Sequence, residues 1–288
     1  MKPSHLTHRT LWSVPIVWLL FTCGPAQGQT SKPFQPQLGQ PGKDLVWVPT
    51  PQAAVQVMLD LAKVTQNDFV IDLGSGDGVI VISAANRGSK AHGIEYNPDL
   101  VELSQRNAAA AGVNDNATFE EADLFESDFS KATVITMFLL PSLNLRLRPK
   151  LLDLKPGTRV VSNTYDMGDW KPDKTVIVPE CATAELRSGI FEWRWCAALL
   201  WIVPAKVAGS WRLPQGELTL EQQFQMVSGA LGSGGSAVPI THGRVLGDQL
   251  SFSVADVEYD GHVSDDTMEG TFTAEGQTST FRATRASR

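Results

Sequence analysis

From Leu45 to Val203 short apolar runs alternate with stretches of helical period. Val55, Met58, Leu59 and Ala62 recur on one helical face, and Thr50-Pro51 just before them reads as an N-cap followed by proline at the first helical position. Phe69 to Leu73 predicts a strand, followed by a glycine loop, an apolar helix from Val79 and a second strand at Ala91 to Glu95. Asn97-Pro98 opens a helix that Gly112 closes, and strands follow at Ala117 to Ala122 and Ala132 to Leu139. Leu143 to Leu154 is helical in pattern, with Pro149 expected to bend or split it, and Thr158 to Ser162 supplies a fifth strand. Such alternation predicts an α/β fold, a doubly wound, mostly parallel sheet with helices on both faces.

Past Asp173 the helical period stops. Two apolar runs, Thr175 to Val178 and Cys196 to Val203, are expected to close the sheet as an antiparallel pair. Residues 205–288 turn rich in Gly, Thr and Ser, with period-two alternation in Leu250, Phe252 and Val254. They predict a small antiparallel β domain with hairpin turns at Gly247-Asp248 and Asp260-Gly261. The glycine-rich stretch Ser228 to Ser236 reads as an exposed connection, because no helical pattern follows it to make a phosphate cradle.

The first residues add a targeting layer. Lys2 and Arg9 precede the apolar run Leu11 to Thr22, and Ala26-Gln27-Gly28 is a small-x-small cleavage site, so residues 1–28 read as a signal peptide or an N-terminal anchor. The run is about a dozen residues against the roughly 20 of a spanning helix, which favours cleavage and an exported protein, periplasmic or secreted, over a membrane-anchored one. Residues 29–44, rich in Gln, Pro and Gly, read as a flexible leader, so the folded body is expected to begin near Leu45. In an exported protein Cys181 and Cys196 are either a disulfide or two buried thiols. No cysteines or histidines stand at zinc-site spacing, so no metal is expected. A net charge of -7 gives no footprint for nucleic acid.

Chemistry concentrates in Val70-Ile71-Asp72-Leu73-Gly74-Ser75-Gly76-Asp77-Gly78, a buried strand entering a loop in which alternate positions lack a side chain, so a ligand can approach the backbone. A dinucleotide loop of the form G-x-G-x-x-G needs glycine where Val79 stands. Together with the antiparallel pair closing the sheet, this spacing argues against a nicotinamide oxidoreductase. Glu95, about twenty residues on at the end of the second strand, suits the two hydroxyls of a ribose. Asp123, in Ala122-Asp123-Leu124 after the third strand, suits an adenine amino group, with Leu124 beside the ring. Asp72 and Asp77 would repel a pyrophosphate and attract an ammonium and a sulfonium, which is the chemistry of S-adenosylmethionine.

The Asp-Leu-Gly-Ser-Gly-Asp-Gly loop, Gly93-Ile94-Glu95-Tyr96-Asn97 and Ala122-Asp123-Leu124 resemble the motifs of class I S-adenosylmethionine-dependent methyltransferases, whose fold is Rossmann-like. More narrowly, Val48-Pro49-Thr50-Pro51, Arg148-Pro149-Lys150-Leu151, Gly157 to Ser162 and Asp169-Trp170 resemble a family of small protein-lysine methyltransferases, whose animal members are membrane-anchored and modify mitochondrial inner-membrane proteins. The resemblance covers residues 45–204 and implies a cofactor-binding domain there. It implies Thr50 near the methionine end of the cofactor and Asp72, Gly74, Ser75, Gly76, Gly78, Glu95, Tyr96, Asp123 and Leu124 as cofactor-binding positions. The implied reaction is methyl transfer to a protein lysine amine, with a protein as partner.

Such a transfer needs alignment and a dry pocket more than acid-base chemistry, so no catalytic residue is assigned. The apolar strand-four end Phe138-Leu139-Leu140-Pro141 suits a neutral amine and lacks the Asn/Asp-Pro-Pro-aromatic signature of enzymes acting on base or amide nitrogens. Pro141, Asn163, Tyr165 and Trp170 are candidates for the acceptor side; for the last three, polar capping and a packed indole are the competing reading. A second function class is an exported cell-envelope binding protein that uses the methyltransferase fold as a scaffold for its β domain.

Overall fold

The computed structural model describes Met1 and residues 34–44, 46–178, 197–233 and 235–286, and residues 34–288 form one compact unit. Most of the expected targeting segment, the start of the leader, and Cys181 and Cys196 lie outside the described residues.

The first half runs α1 (Gln52–Leu61), β1 (Phe69–Leu73), α2 (Val79–Asn86), β2 (Lys90–Glu95), α3 (Pro98–Ala110), β3 (Ala117–Glu121), β4 (Val134–Met137), α4 (Pro141–Leu152), β5 (Arg159–Asn163), β6 (Lys174–Ile177) and β7 (Ala197–Ile202). The strands form one sheet in the order β3-β2-β1-β4-β5-β7-β6. β1 to β5 are parallel, and β7 runs antiparallel to β5 and to β6, as the apolar runs after Asp173 suggested. Alternate residues of each central strand feed opposite layers. Ile71, Leu73, Ile135 and Met137 join one core with Leu143, Leu147 and Leu151 of α4, whereas Val70, Val134 and Val161 join the other with Met58, Leu59 and Val81. Met58 and Leu59 are fully buried, each side chain contributing about 1.5–3 kcal/mol relative to exposure.

Local signals decide most helix ends. The Asn97 side chain accepts the Asp99 N–H at the start of α3, with Pro98 at the first helical position, and Gly112 at φ +70 follows its end. Two expectations need correction. Thr50 does not cap α1: the N-cap is Pro51 with no side-chain bond, which leaves the threonine facing elsewhere. Pro149 does not split α4, which runs unbroken from Pro141 to Leu152 at the cost of the one N–H bond that the proline cannot donate.

The second half is a meander of β8 (Gly209–Leu213), β9 (Gly216–Gln223), β10 (Met226–Ser233), β11 (Ser236–Leu246), β12 (Gln249–Val254), β13 (Val257–Ser264), β14 (Thr267–Ala274) and β15 (Gln277–Arg285). It closes into a barrel when β15 pairs with β8 through Thr284 with Arg212 and Arg285 with Trp211, so that no sheet edge is left open. Trp211, Leu218, Val245, Leu250, Met268 and Phe281 fill the interior. The Gly247-Asp248 turn is where it was expected, between β11 and β12. Asp260-Gly261, however, lies inside β13, and Ser228 to Ser233 belong to β10 rather than to a loop. These glycines serve close packing. A Cβ on Gly270, the partner of Gly261, would stand 2.0 Å from the Asp260 carbonyl oxygen, and one on Gly229 would stand 2.0 Å from that of Thr219.

Residues 37–44, with Val46 and Trp47, depart furthest from expectation. Instead of a featureless leader they form a small hairpin: Gly39 N–H donates to Trp47 O at 3.0 Å, Trp47 N–H to Gln40 O at 2.8 Å, and Pro41 bridges to Val46.

Candidate active site

The β1 strand ends in a loop that its neighbours hold by side chain and backbone. The Gly74 and Ser75 N–H groups donate to Ile94 O, Ser104 Oγ donates to Gly76 O at 2.8 Å, and Asn107 Nδ2 donates to Asp77 O at 2.9 Å. Gly76, at φ +56, has a bare backbone on which the Trp47 indole rests; a Cβ there would stand 3.0 Å from its Nε1. At the end of β2 the Glu95 carboxylate accepts Gly76 N–H at 2.9 Å on one oxygen and Asn97 N–H at 3.0 Å on the other. Both bonds fix the carboxylate while leaving lone pairs free for a ligand. Asp72 is buried at 2 % exposure with Thr136 Oγ1 donating to it at 2.7 Å. Burial pushes its carboxyl up to about 7 against that hydrogen bond, with the charges of Glu95 and Asp77 adding to the rise. Burial also raises the Asp77 carboxyl, opposed by the backbone N–H of Val79.

These strand ends open on one cavity. Thr50, Asp72, Gly74, Ser75, Gly76, Glu95, Tyr96 and Leu124, all expected at a binding site, line it, and so do Asn97, Ala122, Phe138 and Leu139. Gly78 and Asp123 stand off its wall. Gly78 is required by packing, since a Cβ there would lie 2.9 Å from the Phe119 ring. Asp123 is occupied: Lys43 Nζ donates to its Oδ2 at 2.5 Å, and Phe125 N–H to its Oδ1 at 2.9 Å. The Lys43 bond is the main reason that the Asp123 carboxyl sits below its ordinary range and the Lys43 ammonium above its own. Lys43 also lies 4.4 Å from the Tyr96 ring centre. The hairpin carrying Lys43 and Trp47 thus forms the cavity's outer wall, although residues 29–44 read as a flexible leader; the apolar run Leu45 to Val48 directly after it was the one signal.

The acceptor-side candidates divide. Tyr165 stacks on Phe138 with ring centres 6.2 Å apart, which brings it against the cavity wall, and Pro141 is exposed at the first turn of α4. None of the four lines the cavity itself: Tyr165 reaches it through Phe138, and Asn163 and Trp170 lie in the interior. Asn163 is 1 % exposed, and Trp170 is fully buried between Trp201 and Phe224, both ring centres 6.1 Å away. For the indole the packed reading holds, because its large apolar surface finds a better place in the core than on a channel. Among the described residues no group of three histidine, cysteine or carboxylate side chains is placed to hold a metal ion.

The donor set fits S-adenosylmethionine. Acid side chains face the loop where a phosphate would need amides alone, the backbone is bare at Gly74 and Gly76, and Leu124 and Ala122 give an apolar flank. Ser75 lines the cavity with its backbone side, while its Oγ is buried without a hydrogen-bond partner against Gly93, where a Cβ would stand 2.5 Å from it.

The ANTKMT methyltransferase domain family matches residues 72–174. A protein-lysine N-methyltransferase of Saccharolobus islandicus is 44% identical over 137 residues, 46% of this chain and 85% of that protein. The mouse adenine nucleotide translocase lysine N-methyltransferase is 37% identical over 105 residues, 36% of this chain and 46% of that protein, so the chain spans less than half of that relative. Among solved structures, an RNA methyltransferase from Salinibacter ruber in complex with S-adenosyl-L-homocysteine is 46% identical, with 56% of this chain and 96% of that one covered and a TM-score of 0.49.

Proposed function

Because the chain belongs to the protein-lysine N-methyltransferase family, whose members are S-adenosylmethionine-dependent, we propose that it transfers the cofactor's methyl group to the ε-amine of a lysine in a protein. The observation that carries this reading is the cavity in which the acid-bearing loop of β1 and the end of β2 meet the apolar pair Phe138-Leu139. Glu95 would accept from the ribose hydroxyls, and Asp72 would face the ammonium of the methionine portion, with Thr50 on the same wall. Bound S-adenosylmethionine supplies an electrophilic methyl on a positively charged sulfur. The chain's residues must align the amine and keep water away; Leu139 and Phe138, the latter backed by the stacked Tyr165, make an apolar wall that favours the neutral amine, whose lone pair attacks the methyl. The lysine ammonium would give one proton to solvent before attack, the methyl–sulfur bond would break as the amine takes the methyl, leaving the demethylated thioether, and the product would stay an ammonium, so no dedicated base is required. The alternative of an envelope binding module is not favoured by these relatives, and the barrel interior is filled by its own side chains.

Tritiated S-adenosylmethionine offered separately with poly-L-lysine and with total RNA tests the reading. Label on poly-L-lysine, recovered as methyllysine after hydrolysis, is expected. Label confined to RNA, or no label from folded protein that binds the cofactor, overturns lysine as acceptor.

A further inference from the structure

One of the hairpin turns by which the barrel meets the methyltransferase half is in an unfavourable conformation, while the β11–β12 turn at Gly247 packs on Gly157. Phe224 stands at φ +55 in the Phe224-Gln225 turn between β9 and β10, a left-handed geometry that bulky side chains seldom adopt. Its ring leaves the barrel. It packs against the core of the other half, stacks on Trp170 with ring centres 6.1 Å and planes 16° apart, and lies under the Arg148 guanidinium at 5.2 Å. The same Arg148 donates to Met167 O at 2.8 Å and pairs with Asp169. Next to Phe224, Gln225 donates to Lys171 O at 2.7 Å, and Arg244 of β11 pairs at 2.5 Å with Asp173, whose side chain is only 6 % exposed. The barrel therefore grips the segment Thr164 to Asp173 at Trp170, Lys171 and Asp173. At its other end that segment carries Tyr165, which stacks on Phe138 of the cavity wall, and α4 holds its backbone through Asn144 Nδ2 to Tyr165 O at 3.1 Å and Asp166 O at 3.2 Å.

We propose that Phe224 is a positioning residue and that the barrel braces the Thr164 to Asp173 loop, so that Tyr165 and Phe138 hold the acceptor side of the cavity in place. The functional half of this inference rests on the methyltransferase reading; the brace itself does not. A strained aromatic at a tight turn, where glycine or asparagine would fit at lower cost, is explained by what its ring does in the neighbouring core.

The test uses the full chain with Phe224→Gly, which deletes the ring while relieving the backbone, and Phe224→Tyr, which keeps the ring. Amide exchange over residues 164–173, S-adenosylmethionine affinity by calorimetry, and kcat for transfer to poly-L-lysine are measured together. In Phe224→Gly, exchange in that segment should rise at least about tenfold and kcat fall about tenfold, with cofactor affinity within about twofold of wild type, and Phe224→Tyr should restore both. Unchanged exchange in Phe224→Gly overturns the brace whatever the activity. Faster exchange with an unchanged kcat, or an equal loss of cofactor affinity and turnover, overturns the positioning role. A wild type that transfers no methyl group counts against the methyltransferase reading, while the exchange arm still decides the brace. If Phe224→Gly does not fold, Gln225→Ala, which severs the bond to Lys171, is read in the same way.

Discussion

Asp72 shows how one buried carboxylate can link the binding site to the stability of the fold. Its carboxyl holds a proton more firmly in the folded chain than in the unfolded one, with a pKa of about 7 against an ordinary 3.8. Between those values the folded state binds more protons, so unfolding becomes easier as pH climbs, by up to about 1.4 kcal/mol per pH unit. Asp72→Asn, which can still accept from Thr136, should therefore melt higher than wild type at pH 8 and close to it at pH 4, as thermal unfolding at both values would read. A ligand ammonium beside Asp72 favours the ionised form, so wild-type cofactor affinity should rise with pH up to about 7, and the rise should vanish in the variant. Equal pH profiles for the two proteins would separate Asp72 from cofactor binding. Asp72, Gly74, Gly76 and Glu95 were legible in the sequence because strand ends of this fold leave few residue types able to do their work. Trp170 was not, since an indole reads alike whether it faces a channel or the core.

At the level of elements, the strands and helices of the first half were readable because each central strand is apolar on both faces, α3 carries an asparagine cap and α2 and α3 end at glycines. The hairpin at residues 37–44, with Val46 and Trp47, was not readable. It has no apolar period, and its fold comes from distant partners: Lys43 on Asp123, Trp47 on Gly76. The glycines of β10 and β13 misled for a related reason, because a close approach between strands and a turn select the same residue. If the Lys43 pair holds the hairpin down over the cavity, Asp123→Asn should let trypsin cut after Lys43 several-fold faster than in wild type, and high salt should speed cleavage of the wild type toward the variant's rate. Peptide masses during limited digestion give both rates. Identical rates at low salt would mean that the ion pair, exposed as it is, holds nothing.

For the whole molecule, the family match ends at residue 174, and the barrel strands begin at Gly209, beyond it. The composition shift after Pro204 was enough to foresee an antiparallel β domain but not its closure, which depends on the pairing of β15 with β8 at opposite ends of that segment. Nor does residue pattern reveal that a barrel turn enters the neighbouring core. The central claim, that the glycine loop and Glu95 form the binding site for S-adenosylmethionine, is tested most directly by calorimetric titration of that cofactor into the folded protein, with Glu95→Ala and Gly76→Arg alongside. Saturable micromolar binding by the wild type, lost in Gly76→Arg, where any side chain meets Trp47, and weakened at least about tenfold in Glu95→Ala, is the predicted result. A folded wild type that takes up no cofactor, or a Gly76→Arg protein that binds it equally well, would contradict the account.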